Sequence, residues 1–150
     1  MPVGGGPQRR CGACAIVRRT RGGAAVVVGV GLDLVEVDRV ERSLARWGDR
    51  LIAKLMDAPE AARLPPAGAE RALALALAIT GKEAASKALG TGWSRGVFWR
   101  HVVVDAGPPA RLTLVGRAAE VARSLGSDGS TRARFERRGA LVLGEVRLLA

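Results

Sequence analysis

Tyrosine is absent from this chain of 150 residues, which holds only two phenylalanines, three tryptophans and one histidine. With so few aromatic rings, aliphatic and alanine packing must build the interior, and stacking platforms for single-stranded nucleic acid are poorly supplied. Cysteine is scarce too, at two residues, Cys11 and Cys14, in one C-x-x-C. A structural zinc site wants four ligands, and neither a second pair nor a nearby histidine completes one, since the single histidine is His101. A thioredoxin-like pair needs a strand before it and a helix after it; here the surroundings are Gly- and Arg-rich, so the pair reads as incidental. Long apolar runs are missing as well. Ala72 to Ile79 is far short of the roughly 18 residues of a membrane span, and no apolar segment with a cleavage signature opens the chain. The expectation is a cytoplasmic protein with no membrane partner.

What is present is one globular domain. The mass is 15.6 kDa, with 48% hydrophobic and 25% charged residues, a size that suits one core and not two. Basic residues number 24 against 14 acidic ones, a net charge of +10. Five arginines (Arg9, Arg10, Arg18, Arg19, Arg21) and no acid fall in residues 1–25, so the remainder carries 19 basic and 14 acidic residues, a net +5. That modest excess suits an anionic ligand or an acidic protein partner as well as nucleic acid, and with the scarcity of rings no nucleic-acid partner is expected.

Residues 1–24 lack periodicity and read as a flexible Gly/Arg-rich extension, with the folded domain over residues 25–150. Ala25 to Gly31 is a short β-branched run that predicts a buried strand. From Leu34 the spacing of Val37, Val40, Leu44, Trp47 and Leu51 is helical. Pro59 and Pro65-Pro66 punctuate the chain before a long Ala/Leu helix over Gly68 to Leu89, apolar on most faces and so expected to be buried; Gly90-Thr91-Gly92 stops it. Val97 to Asp105 predicts a strand, as do the alternating Arg111 to Leu114 and the closing Ala140 to Leu149, with a short helix over Gly116 to Leu125. The expected class is α+β, an antiparallel sheet packed against a long buried helix.

Two segments carry chemistry. In Gly29-Val30-Gly31-Leu32-Asp33, a carboxylate leaves a buried strand beside glycines, where the backbone can approach a ligand; alternatively Asp33 caps the following helix. In Gly81-Lys82-Glu83-Ala84-Ala85-Ser86-Lys87, helical offsets put Glu83, Ser86 and Lys87 on one face, a metal-seeking carboxylate beside a phosphate-seeking ammonium. The plainer alternative is an ordinary Glu–Lys helix pair. The adjoining Gly90-Thr91-Gly92 adds backbone amides that can meet an anion.

Together these segments resemble the holo-acyl-carrier-protein synthase family, the small bacterial 4'-phosphopantetheinyl transferases. G-x-D with an arginine six residues on (Asp33, Arg39) precedes K-E-A-x-x-K-A-x-G-T-G (Lys82, Glu83, Lys87, Gly90, Thr91, Gly92), and Trp47 to Glu60 is similar to the family's F-x-x-R…T-x-x-E stretch. The likeness runs from about residue 26 to the end. It implies a phosphopantetheinyl transferase-like fold and transfer of the phosphopantetheine arm of coenzyme A to a serine of an apo acyl carrier protein, in fatty-acid or polyketide synthesis, with release of 3',5'-ADP. It further implies Mg²⁺ held by Asp33 and Glu83, phosphates held by Lys87 and Lys82, and a coenzyme site lined by Gly90, Thr91 and Gly92. A homotrimer is implied too. Mg²⁺ suits this set, because it takes one or two carboxylates together with substrate phosphate oxygens. Carrier proteins present an acidic helix; Arg39 lies in the family motif, and on one helix Arg39 and Arg46 are nearly eclipsed, with Arg50 a turn further, a stripe able to steer such a partner.

The chain departs from the family in places. Ala78 and Ile79 stand where Arg and Phe are usual, Gly81 precedes Lys82, and Arg134-Phe135 fall at or near a Ser/Thr-His pair, so the histidine is lost. A relative that binds coenzyme A or a carrier domain without turnover therefore stays open as the alternative.

Overall fold

The long Ala/Leu segment forms the helix expected of it, α4 (Gly68–Ala88), preceded by α1 (Val37–Trp47), α2 (Asp49–Leu55) and the short α3 (Ala58–Ala61). The computed structural model describes residues 25–150; the 1–24 extension, with Cys11 and Cys14, lies outside the described residues. Ala72, Leu75, Ala76, Ala84, Ala85 and Ala88 are all buried. Small side chains let neighbouring backbones come close, and α4 lies against a three-stranded antiparallel sheet of order β1 (Val27–Glu36), β5 (Leu141–Leu149), β4 (Thr131–Arg138). A second antiparallel pair, β2 (Val102–Asp105) with β3 (Arg111–Leu114), packs on the same helix through β2, and α5 (Gly116–Ser124) follows β3.

β1 differs from its expectation in length and in polarity. It runs on to Glu36, so Asp33 is a strand residue and not a helix cap, and Glu36 occupies the position before α1. Its side facing α4 holds glycines, while Val30, Leu32 and Leu34 on the other side are 52%, 51% and 56% exposed. The glycines serve the helix and not a ligand: a Cβ on Gly31 would lie 1.8 Å from the Ala84 carbonyl oxygen, and one on Gly29 2.5 Å from that of Ala88. Both obstacles are backbone, which cannot swing aside. Gly31→Ala is therefore expected to cost about 3 kcal/mol, the upper end of the overpacking range, read as a fall in the denaturation midpoint.

Three further differences have local causes. Gly48 (φ +51°) separates α1 from α2, so the helical stretch expected from Val37 to Leu51 is two helices. Trp99–His101 forms a 3-10 turn ahead of β2, shortening the strand expected from Val97. β4 is a strand that the sequence pattern does not predict; its outward positions carry Arg132, Arg134, Glu136 and Arg138, which mask the alternation with half-buried Ala133 and Phe135. The Phe135 ring is seated over two glycines: Cβ atoms on Gly81 and Gly144 would come within 2.9 Å and 3.2 Å of it.

Candidate functional site

Side-chain alternation along β1 puts Asp33 on the same side as Gly31, toward α4. There it meets Lys87, whose Nζ donates a 2.7 Å hydrogen bond to Asp33 Oδ1. Glu83 lies one turn earlier than Lys87 on the same face of α4. α1 closes the other side, because it leaves β1 directly after Glu36 and packs against α4. The result is a cleft of about 610 Å³ with Asp33, Glu36, Arg39, Ser43, Glu83 and Lys87 as its polar lining and Val40, Leu51, Ile79 and Leu141 among its apolar wall. Four residues singled out from sequence, Asp33, Arg39, Glu83 and Lys87, thus converge from three elements. Asp33 is only 14% exposed while Lys87 is 53% exposed, so a mobile cation reaches a fixed, partly desolvated anion.

Not every expected residue is in the cleft. Lys82 is fully buried on another side of α4: its Nζ donates to Glu60 Oε2 at 2.8 Å and to the carbonyls of Trp99 (3.2 Å) and Val102, and Glu60 Oε1 accepts from the Val104 amide at 2.9 Å. Burial pushes the Lys82 ammonium below the ordinary lysine range, a shift the Glu60 carboxylate opposes. With its three protons already engaged, it cannot hold phosphate, and its expected cofactor role is corrected. Ser86 is buried as well, donating to the Glu83 carbonyl. Gly90-Thr91-Gly92 is absent from the cleft lining and ends α4, with Gly90 and Gly92 at φ +67° and +55° and the Gly92 amide bonded to the Ser86 carbonyl. The arginine stripe is broken: Arg39 and Arg46 share α1, but Arg50 is on α2 beyond Gly48. Arg46 stacks over the half-exposed Trp47 ring at 4.7 Å.

Sequence reasoning missed Glu36 and Ser43. A helix wheel anchored on Arg39 would have found them, since they lie three residues before and four after it. Among the described residues no group of three or more His, Cys, Asp or Glu side chains is placed to hold a metal ion. The cleft instead offers the carboxylates of Asp33 and Glu83 on β1 and α4, with Glu36 at its edge, and Asp33 already holds a cation, the Lys87 ammonium. A hard divalent ion that takes its remaining ligands from water and substrate phosphate fits that donor set.

Comparison with known proteins agrees with the sequence. The family model described as "4'-phosphopantetheinyl transferase superfamily" matches residues 29–137. A holo-[acyl-carrier-protein] synthase of Solidesulfovibrio magneticus is 42% identical over 104 residues, 68% of this chain and 82% of that protein. One from Alkalilimnicola ehrlichii is 44% identical over 107 residues, 69% of this chain and 83% of its own. Among solved structures, the holo-[acyl-carrier-protein] synthase of Neisseria meningitidis superposes with a TM-score of 0.69 at 23% identity, covering 82% of this chain and 98% of that one. The Helicobacter pylori protein, solved in complex with coenzyme A, gives 0.65 at 19% identity, covering 81% and 99%. At those identities the superpositions speak for the fold: it is the α+β phosphopantetheinyl transferase fold.

Proposed function

The chain belongs to the holo-acyl-carrier-protein synthase family of 4'-phosphopantetheinyl transferases, and from that premise we propose that it moves the phosphopantetheine arm of coenzyme A to a serine of an apo acyl carrier protein, releasing 3',5'-ADP. The serine oxygen bonds to the phosphorus that bears the pantetheine arm, the bridging P–O bond breaks, and the 3',5'-ADP leaves with the electron pair. The serine proton goes to a carboxylate of the cleft. The observation that carries this reading is the convergence of Asp33, Glu83 and Lys87 on one cleft from segments far apart in the chain.

Asp33 and Glu83 would hold Mg²⁺, which supplies neutralisation of the charge that builds on the diphosphate. Lys87 offers a point charge to phosphate oxygens. Gly90, Thr91 and Gly92 follow α4 directly and extend the coenzyme site beyond the cleft. Arg39, at the cleft wall, guides the acceptor serine, while Arg46 and Arg50 outside it attract the acidic helix of the carrier from two consecutive helices, a salt-sensitive attraction. The open apolar side of β1 (Val30, Leu32, Leu34), joined by Leu143 of β5, supports a homotrimer, which the mass in solution checks. Among the described residues no helix is long and apolar enough to cross a membrane, in keeping with work on coenzyme A and carriers in the cytoplasm.

The test is an incubation with coenzyme A, Mg²⁺ and a panel of fatty-acid and polyketide apo carriers, each then weighed by mass spectrometry. A mass gain of one phosphopantetheine is expected. No gain on any carrier would leave the alternative, a relative that binds coenzyme A or a carrier domain without turnover.

A further inference from the structure

The bond between Lys87 and Asp33 occupies one oxygen of the carboxylate that the proposed transfer reaction gives to a divalent ion. Resting on that reaction, we infer that Lys87 is an exchangeable placeholder: in the metal-free protein its ammonium neutralises Asp33, and arrival of the ion expels it toward the substrate phosphates. An ammonium and a dication on the same carboxylate repel each other, and in a partly desolvated site that repulsion is only weakly screened, so binding of the ion favours departure of the ammonium. Asp33, at 14% exposure where β1 faces α4, is poorly solvated by itself, so it draws in whichever cation is at hand. Lys87 is free to leave. Its side chain is half exposed on a flexible four-carbon stem, and among the described residues its Nζ bonds to Asp33 alone. Glu83, one turn away on α4 and lining the same cleft, is not engaged by that ammonium and stays available to the ion. Loading the ion and arming the phosphate-binding lysine are then one event, and the coenzyme is gripped only by a site already metallated.

Calorimetric titration separates this from a lysine that merely stays paired. Mg²⁺ is titrated into the protein without coenzyme A, then coenzyme A is titrated at saturating Mg²⁺, for wild type and Lys87→Met. The variant is expected to bind Mg²⁺ about two- to fivefold more tightly, the factor an ion pair with one exposed partner supports, and to bind coenzyme A more weakly. Unchanged or weaker Mg²⁺ binding by the variant, or unchanged coenzyme A binding, overturns the exchange. Asp33→Asn isolates the underlying site: if wild type binds no Mg²⁺, or Asp33→Asn binds it as well as wild type, the metal assignment fails instead. Lys87→Gln, which keeps a polar side chain at the surface, replaces Lys87→Met if the latter does not fold.

Discussion

Glu83→Ala and Asp33→Ala are each expected to slow transfer by about a thousandfold or more, the rate equivalent of the several kcal/mol of charge stabilisation a bound ion supplies. Both residues line the cleft, and the ion pair Asp33 makes is half exposed on its Lys87 side, so the melting midpoint should hardly move. The rate is read from the mass gain of an apo carrier over time. Combining the two substitutions should slow the reaction no further than either alone, since both carboxylates act through one ion. Normal turnover by either single variant would overturn its assignment.

Glu60→Ala is expected to be the most damaging single change to stability, at about 3–5 kcal/mol, because it leaves the buried Lys82 ammonium without a counter-charge. It also strips the Val104 amide of its acceptor. Lys82→Met should cost a similar amount by abandoning the Glu60 carboxylate, and Glu60→Leu with Lys82→Met should fall well short of the sum. Chemical denaturation of the single and double variants measures this. The pH dependence has a definite sign. Burial lowers the Lys82 pKa, so the unfolded chain holds this proton at pH values where the folded chain has begun to lose it. The contribution of Lys82 to stability therefore rises with pH through that window, below the ordinary lysine value, and lies at its minimum on the acid side. Comparing wild type with Lys82→Met across alkaline pH isolates it.

Lys82 shows where motif reading fails. The K-E-A segment places two charged residues side by side, and adjacency says nothing about which side of the helix is wet. The helical offsets do: Lys82 shares a stripe with Leu75, Ala78 and Ala85, all buried, while Glu83 shares one with Ile79 and Lys87 at the cleft. α4, its glycine stop, α5, β3 and β5 are legible in the sequence because each has the period and punctuation of its element. β1 misleads because its hydrophobic side is the open one and its packed side is nearly bare of side chains. Apolar patterning locates surfaces that avoid water, and here the close contact is backbone to backbone, which leaves almost no trace in hydropathy. The pairing of Asp33 with Lys87 is not legible in the sequence, since nothing local joins two residues so far apart in the chain and the family resemblance gives them separate roles.

The ring of Phe135 resting on Gly81 and Gly144 ties three positions on three elements into a single choice. Trimming the ring alone leaves a hole that the bare backbones beneath it cannot fill; enlarging either floor position alone strikes the ring. A change at any one of the three positions therefore alters the fit at the other two, so the ring and the two glycines are expected to vary together.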